Sequence, residues 1–99
     1  ESPALIDVSF QVVRCQAGGA AQIMLDVFNE SGDVAMVGFT LHITDNASGQ
    51  SYDLVVPPFQ IAFGDILTGS CGSTNNQNLV HTLPAGYDGS NLTVGITYL

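Results

Sequence analysis

His42 and His81 are the two side chains of this 99-residue sequence best suited to general-base or metal chemistry. A hydrolytic triad needs such an imidazole between a nucleophilic hydroxyl or thiol and an orienting acid. Neither histidine stands beside a nucleophile-elbow pattern such as Gly-x-Ser-x-Gly. His42 lies among threonines, with Thr40 and Thr44 at alternate positions, and His81 alternates with Val80 and Thr82. Both therefore read as strand histidines serving packing or hydrogen bonding. No Cys-x-x-Cys or His-x-x-x-His spacing turns them into metal ligands. No catalytic, cofactor-binding or metal-ligating residue is assigned, and no enzyme activity is expected.

The nine acidic residues offer two further chemistries. Paired carboxylates cleave glycosides, but these acids fall mainly in turns, where short acidic side chains hydrogen-bond the local backbone. Residues 45–53, Asp-Asn-Ala-Ser-Gly-Gln-Ser-Tyr-Asp, superficially resemble a calcium loop. Ala47 occupies the third position and the closing glutamate is missing, so the EF-hand pattern fails. A loop-end cation site drawing on Asp33, Asp45 or Asp88 is the remaining alternative.

Three sequons, Asn29-Glu30-Ser31, Asn46-Ala47-Ser48 and Asn91-Leu92-Thr93, make Asn29, Asn46 and Asn91 candidate glycosylation sites. The alternative is turn residues that happen to match. Cys15 and Cys71 give one candidate disulfide, expected in an oxidising compartment. Closing that span would stabilise the fold by roughly 3–4 kcal/mol. Two buried, reduced cysteines in a cytosolic protein are the alternative.

Charge narrows the partners. The sequence has a single cation, Arg14, no lysine and a formal charge of −8. Nucleic acid and anionic membrane surfaces are excluded, because both need clustered Lys and Arg. The acidic balance fits a solubilising surface, or one stripped of lysine-directed protease sites. No apolar run reaches the ~18 residues of a membrane span, so no insertion is expected. Glu1-Ser2-Pro3 does not read as a secretory leader, so a secreted chain would have been processed or cut. Apolar residues make up 45% of the sequence, enough for one folded domain over residues 1–99.

The elements that must position these residues are strands. Alternation with period two dominates. In residues 5–13, Ile6, Val8, Phe10 and Val12 share one face; in 21–28, Ile23, Leu25 and Val27 do. Val37, Phe39, Leu41 and Ile43 point one way in the third strand, and Tyr52, Leu54 and Val56 follow on the fourth. Pro57-Pro58 must end that strand or sit on a sheet edge, since two ladder donors are missing. Short strands are expected at 59–63 and 66–71, a polar loop at 72–78, then strands at 79–83 and 92–98. Seven or eight short strands separated by turn formers predict an all-β, Ig-like antiparallel Greek-key sandwich. The antibody type itself is not supported, because there is no Trp to pack on a central disulfide.

Val27-Phe28-Asn29-Glu30-Ser31-Gly32-Asp33, followed by residues 38–45 and 49–52, resembles the strand–Asn-x-x-Gly-Asp–strand–turn–strand pattern of Ig-like surface modules. Similar cores occur in extracellular domains of archaeal filament subunits, the archaellin-like and pilin-like proteins. The resemblance spans roughly residues 21–56 and implies an extracellular or cell-surface sandwich. It carries over no functional residue, and the apolar N-terminal helix of such subunits is absent. Three alternatives follow: a soluble fragment, assembly by strand exchange, or a shared architecture alone. The first and last strands, as edges, are the ones that could exchange.

The expectation is therefore a non-catalytic structural or adhesive module without cofactors, with self-association or a cell-envelope protein as its partner. The alternative is a carbohydrate- or protein-binding module using loops 29–33, 45–50 and 72–78.

Overall fold

The alternation folds into seven strands: β1 (Ile6–Val13), β2 (Gln22–Asn29), β3 (Ala35–Asp45), β4 (Ser51–Ile61), β5 (Ile66–Thr68), β6 (Val80–Thr82) and β7 (Leu92–Tyr98). A 3-10 turn at Gln77–Leu79 precedes β6. This computed structural model describes residues 5–72, 77–87 and 89–98. Residues 1–4, the loop positions 73–76, Asp88 and Leu99 lie outside the described residues.

Two antiparallel sheets face each other. In one, β2 is flanked by β1 on one side and by both β5 and β6 on the other. β5 pairs with Asp26–Phe28 and β6 with Gln22–Met24, so the two short strands are halves of one interrupted edge. The second sheet runs β4-β3-β7. Around the sandwich, β3, β4 and β5 are sequential neighbours and β2 returns to lie beside β5, which is Greek-key order.

The central strands supply the core. Ile23, Leu25 and Val27 of β2 and Phe39, Leu41 and Ile43 of β3 are all fully buried, with Val37 beside them. These are the period-two faces expected from sequence. Full burial of each such side chain contributes roughly 1.5–3 kcal/mol.

Two sequence expectations need correction. Residues 59–63 do not form a separate strand: β4 runs through Pro57-Pro58 to Ile61. It can do so because it is a sheet edge and because the register slips there. Val37 pairs with Phe59 but Phe39 with Val56, so the two prolines bulge opposite Gly38. A Cβ at Gly38 would lie 3.0 Å from Pro58 Cγ, which makes glycine the fitting residue. The strand expected at 66–71 also stops early, at Thr68. Gly69 still donates to the Leu25 carbonyl (3.0 Å), and then the chain leaves the sheet. Leu79, 1% exposed, anchors its return.

Cys15 and Cys71 are disulfide-bonded, with their Cα atoms 5.5 Å apart. The bridge ties the end of β1 to the connection after β5, at the periphery and not between central strands. Among the described residues no helix is long and apolar enough to cross a membrane.

Candidate functional site

His42 lies on the outer face of the β4-β3-β7 sheet, where the alternation of β3 sends the residues between its buried apolar ones. Its Nδ1 meets Asp53 Oδ1 at 2.6 Å, with both side chains more than half exposed. Register places Gly95 of β7 on the other flank, and Thr40, Thr44, Thr93 and Thr97 share the face. His81 Nε2 donates to the Asn78 carbonyl. One imidazole thus pairs with a carboxylate and the other with a backbone oxygen, and neither contact is that of base to nucleophile.

The acids are dispersed. Asp33 precedes β3 and Asp45 closes it, so the whole length of that strand separates two residues considered for one cation site. Asp88, the third, lies outside the described residues. Asp45 is buried, and its Oδ2 accepts from Ser48 Oγ at 2.7 Å. The turn closes below it through Gly49 N to Asp45 O (2.7 Å). Among the described residues no three His, Cys, Asp or Glu side chains converge. A cavity of about 350 Å³ beside the disulfide is lined in part by Cys15, Gln22, Gly72 and Thr82. Its described lining contains no carboxylate or imidazole.

The three sequon asparagines differ sharply in surroundings. Asn29 is fully buried and fastens two loops together. Its Nδ2 donates to the carbonyls of Asp33 (2.9 Å), Ile61 (3.2 Å) and Ala62 (3.3 Å). Its Oδ1 accepts from the Ser31 amide and hydroxyl. An amide so enclosed leaves no room for a glycan in this fold. Sequence reasoning missed this hub, because Asn in a turn gives the same signal whether it faces water or the interior. Asn46 and Asn91 are exposed and adjoin at the other end of the sandwich. Asn46 Nδ2 donates to Asn91 Oδ1 and to Thr93 Oγ1, each at 3.0 Å.

The feature that distinguishes this molecule is a lateral opening between β1 and β7. On the β4 side the gap between the sheets is better filled: Val56, Ile61 and Leu79 are buried, and the Tyr87 ring meets Tyr52 edge-on with centroids 5.4 Å apart, while Tyr52, Leu54 and Phe59 are half-buried. Along β1 and β7 every inward side chain keeps some exposure. Ile6, Val8, Val12, Leu92, Val94, Ile96 and Tyr98 are half-buried, and Phe10 is 41% exposed. The opening is pinned at its ends. Tyr98 Oη donates to the Ile6 carbonyl (3.1 Å), and Gly89 packs against Val12 at the other end.

The four sheet edges are unequal. β4 carries two prolines and a bulge, β5 and β6 are three residues each, and β1 carries Asp7. All three are devices or lengths that discourage pairing with another chain. β7, Leu-Thr-Val-Gly-Ile-Thr-Tyr, contains no charge and no proline. Its outer edge and the half-buried row beside it form the candidate functional surface.

No family model matches the chain, and no curated protein or solved structure is recognisably similar to it.

Proposed function

We propose that the chain is a non-catalytic structural or adhesive module of an extracellular surface, a subunit of a filament or cell-envelope assembly akin to archaellin-like and pilin-like domains. The observation that carries this reading is the opening between β1 and β7: apolar rows next to an unprotected strand edge are the substrate of strand addition. The peripheral disulfide and the exposed sequons at Asn46 and Asn91 support an oxidising, outward compartment. His42 and Asp53 are read as a surface pair, of the kind that contributes about 0–1 kcal/mol. Light scattering on the purified chain, with electron microscopy of native material, tests the proposal. Self-association or ordered assemblies support it, and a monomer at every concentration that adheres to nothing contradicts it.

Recognition of carbohydrate or protein by the loops has less behind it. Loops 29–33 and 45–50 contain no aromatic residue, and their polar groups bond largely to one another. Loop 72–78 lies mostly outside the described residues. A glycan array that lights up, with signal lost on loop substitution, would favour this second reading.

A further inference from the structure

Within β7 the sequence is nearly symmetric about its middle residue. Gly95 is flanked by Val94 and Ile96, then by Thr93 and Thr97, then by Leu92 and Tyr98. Two such strands laid antiparallel with Gly95 opposite the partner's Gly95 bring like against like. Val94 meets the partner's Ile96 and Leu92 the partner's Tyr98 on the inward face, while Thr93 meets the partner's Thr97 on the outward face. Pairing by even steps keeps every apolar residue on the core side. β-branched and Thr–Thr cross-strand pairs are favourable ones.

Gly95 adds a second observation. A glycine inside a strand weakens it and often marks a place where another backbone comes close. Within one copy nothing calls for it: a Cβ there would meet no atom within 4 Å, and its φ is not positive. At a two-fold axis a residue faces its own copy, and glycine spares the seam two identical side chains set directly against each other.

Charge supplies the third. A copy with a formal charge of −8 repels another, yet β7 contributes none of that charge, and at seven residues it is longer than the other uncharged, proline-free edge, the three-residue β5 and β6, so it is the place where two copies can meet.

We infer that β7 is a homodimer seam: two copies pair edge to edge about a two-fold axis through Gly95, fusing their three-stranded sheets into one of order β4-β3-β7-β7-β3-β4. The inference rests on the reading of the chain as an assembling module, and it names the partner and the edge. The contact is isologous, since each copy presents the same strand. The half-buried row Leu92, Val94, Ile96 and Tyr98 loses its exposure to the partner's equivalent row. A seam of seven residues a side is small against a standard interface, so dissociation constants of about micromolar or weaker follow. Added salt strengthens the pairing by screening the repulsion between copies.

The test uses the 99-residue chain and two pairs of variants. Under mild oxidation Gly95→Cys forms a covalent dimer, because the new thiols face each other across the axis. Thr97→Cys does not, because its thiol faces position 93 of the partner. Sedimentation then measures register through charge. Thr93→Lys with Thr97→Lys sets like charges opposite each other and weakens dimerisation about tenfold. Thr93→Asp with Thr97→Lys sets opposite charges together and restores it. Circular dichroism confirms that each variant keeps its sheet signal, since both positions are exposed. A dimer that Gly95→Cys does not crosslink and that neither charged double variant alters, or a heterologous strand bound at this edge in its place, overturns the inference and leaves the proposed function standing. A chain monomeric at every concentration and salt overturns both.

Discussion

The Tyr98 hydroxyl donates to the Ile6 carbonyl at 3.1 Å, joining the last strand of one sheet to the first strand of the other. This single bond, between residues 92 positions apart, pins one end of an otherwise open side. Tyr98→Phe removes it while keeping the ring and its edge-on contact with Phe39. Chemical denaturation is expected to show a loss of about 0.5–1.5 kcal/mol, with faster hydrogen exchange at the start of β1 and not in β3. Burial, and then the charge of Asp7, raises the Tyr98 phenol above its ordinary value. Its contribution to stability is therefore complete below the unfolded value and is lost as pH rises through the folded one. Alkaline difference spectroscopy should find Tyr98 ionising late, and Tyr52 late as well, through burial and the neighbouring Tyr87.

Asp7 and Glu30 form an acid pair at the same end. The hydrogen bond with Asp7, and after it the Asp7 charge, raises the Glu30 carboxyl above its ordinary value. A raised carboxyl means the folded chain holds that proton more tightly than the unfolded one. The resulting stabilisation is complete below the unfolded value and disappears as pH climbs through the folded value. Melting temperature should therefore gain from this pair as pH falls from neutral through the region just above the ordinary glutamate range. Glu30→Gln should be the more stable form at neutral pH and should flatten this part of the profile. An unchanged profile would remove the pair from the account.

Asn29 holds loops 30–34 and 62–65 together from a fully buried position. Asn29→Ala removes the side-chain partner of the Asp33, Ile61 and Ala62 carbonyls and of the Ser31 amide, at a cost of about 2–3 kcal/mol by denaturant titration. Peptide mapping of native material should find any N-linked glycan at Asn46 or Asn91 and none at Asn29. A glycan on Asn29 would contradict the fold at this end.

The disulfide closes a sequence separation of 56 residues. Cys15→Ser with Cys71→Ser should lower stability by roughly 3–4 kcal/mol. The sheet signal should survive, because the bridge lies outside the packed centre of β2 and β3. Complete unfolding at room temperature would show that the core contributes less than its burial implies.

Sheets, faces and the inward rows could be read from the sequence because one physical signal, alternation, sets all three. Ile23, Leu25 and Val27, and Phe39, Leu41 and Ile43, are buried as their spacing demands. The breaks were less legible. Pro57-Pro58 allows either a strand end or a sheet edge, and only the pairing with β3 reveals that a bulge opposite Gly38 carries this edge strand onward. The interrupted edge of β5 and β6 depends on Leu79 entering the core from a connection, a tertiary event with no local pattern. The sequence also marked both terminal strands as edges. It did not separate the charged β1 from the unprotected β7 as candidate surfaces, because that contrast emerges only when all four edges are compared. The proximity of His42 to Asp53 was likewise invisible until register placed them opposite each other.

The central claim is that the free edge of β7 is where this chain meets its own kind. Hydrogen exchange at the β7 amides, followed across protein concentration, tests it most directly. Protection should rise in residues 92–98 as concentration increases, while β4, the opposite edge of the same sheet, stays constant. Exchange in β7 that is rapid and independent of concentration, in a sample that nonetheless associates, would contradict the claim.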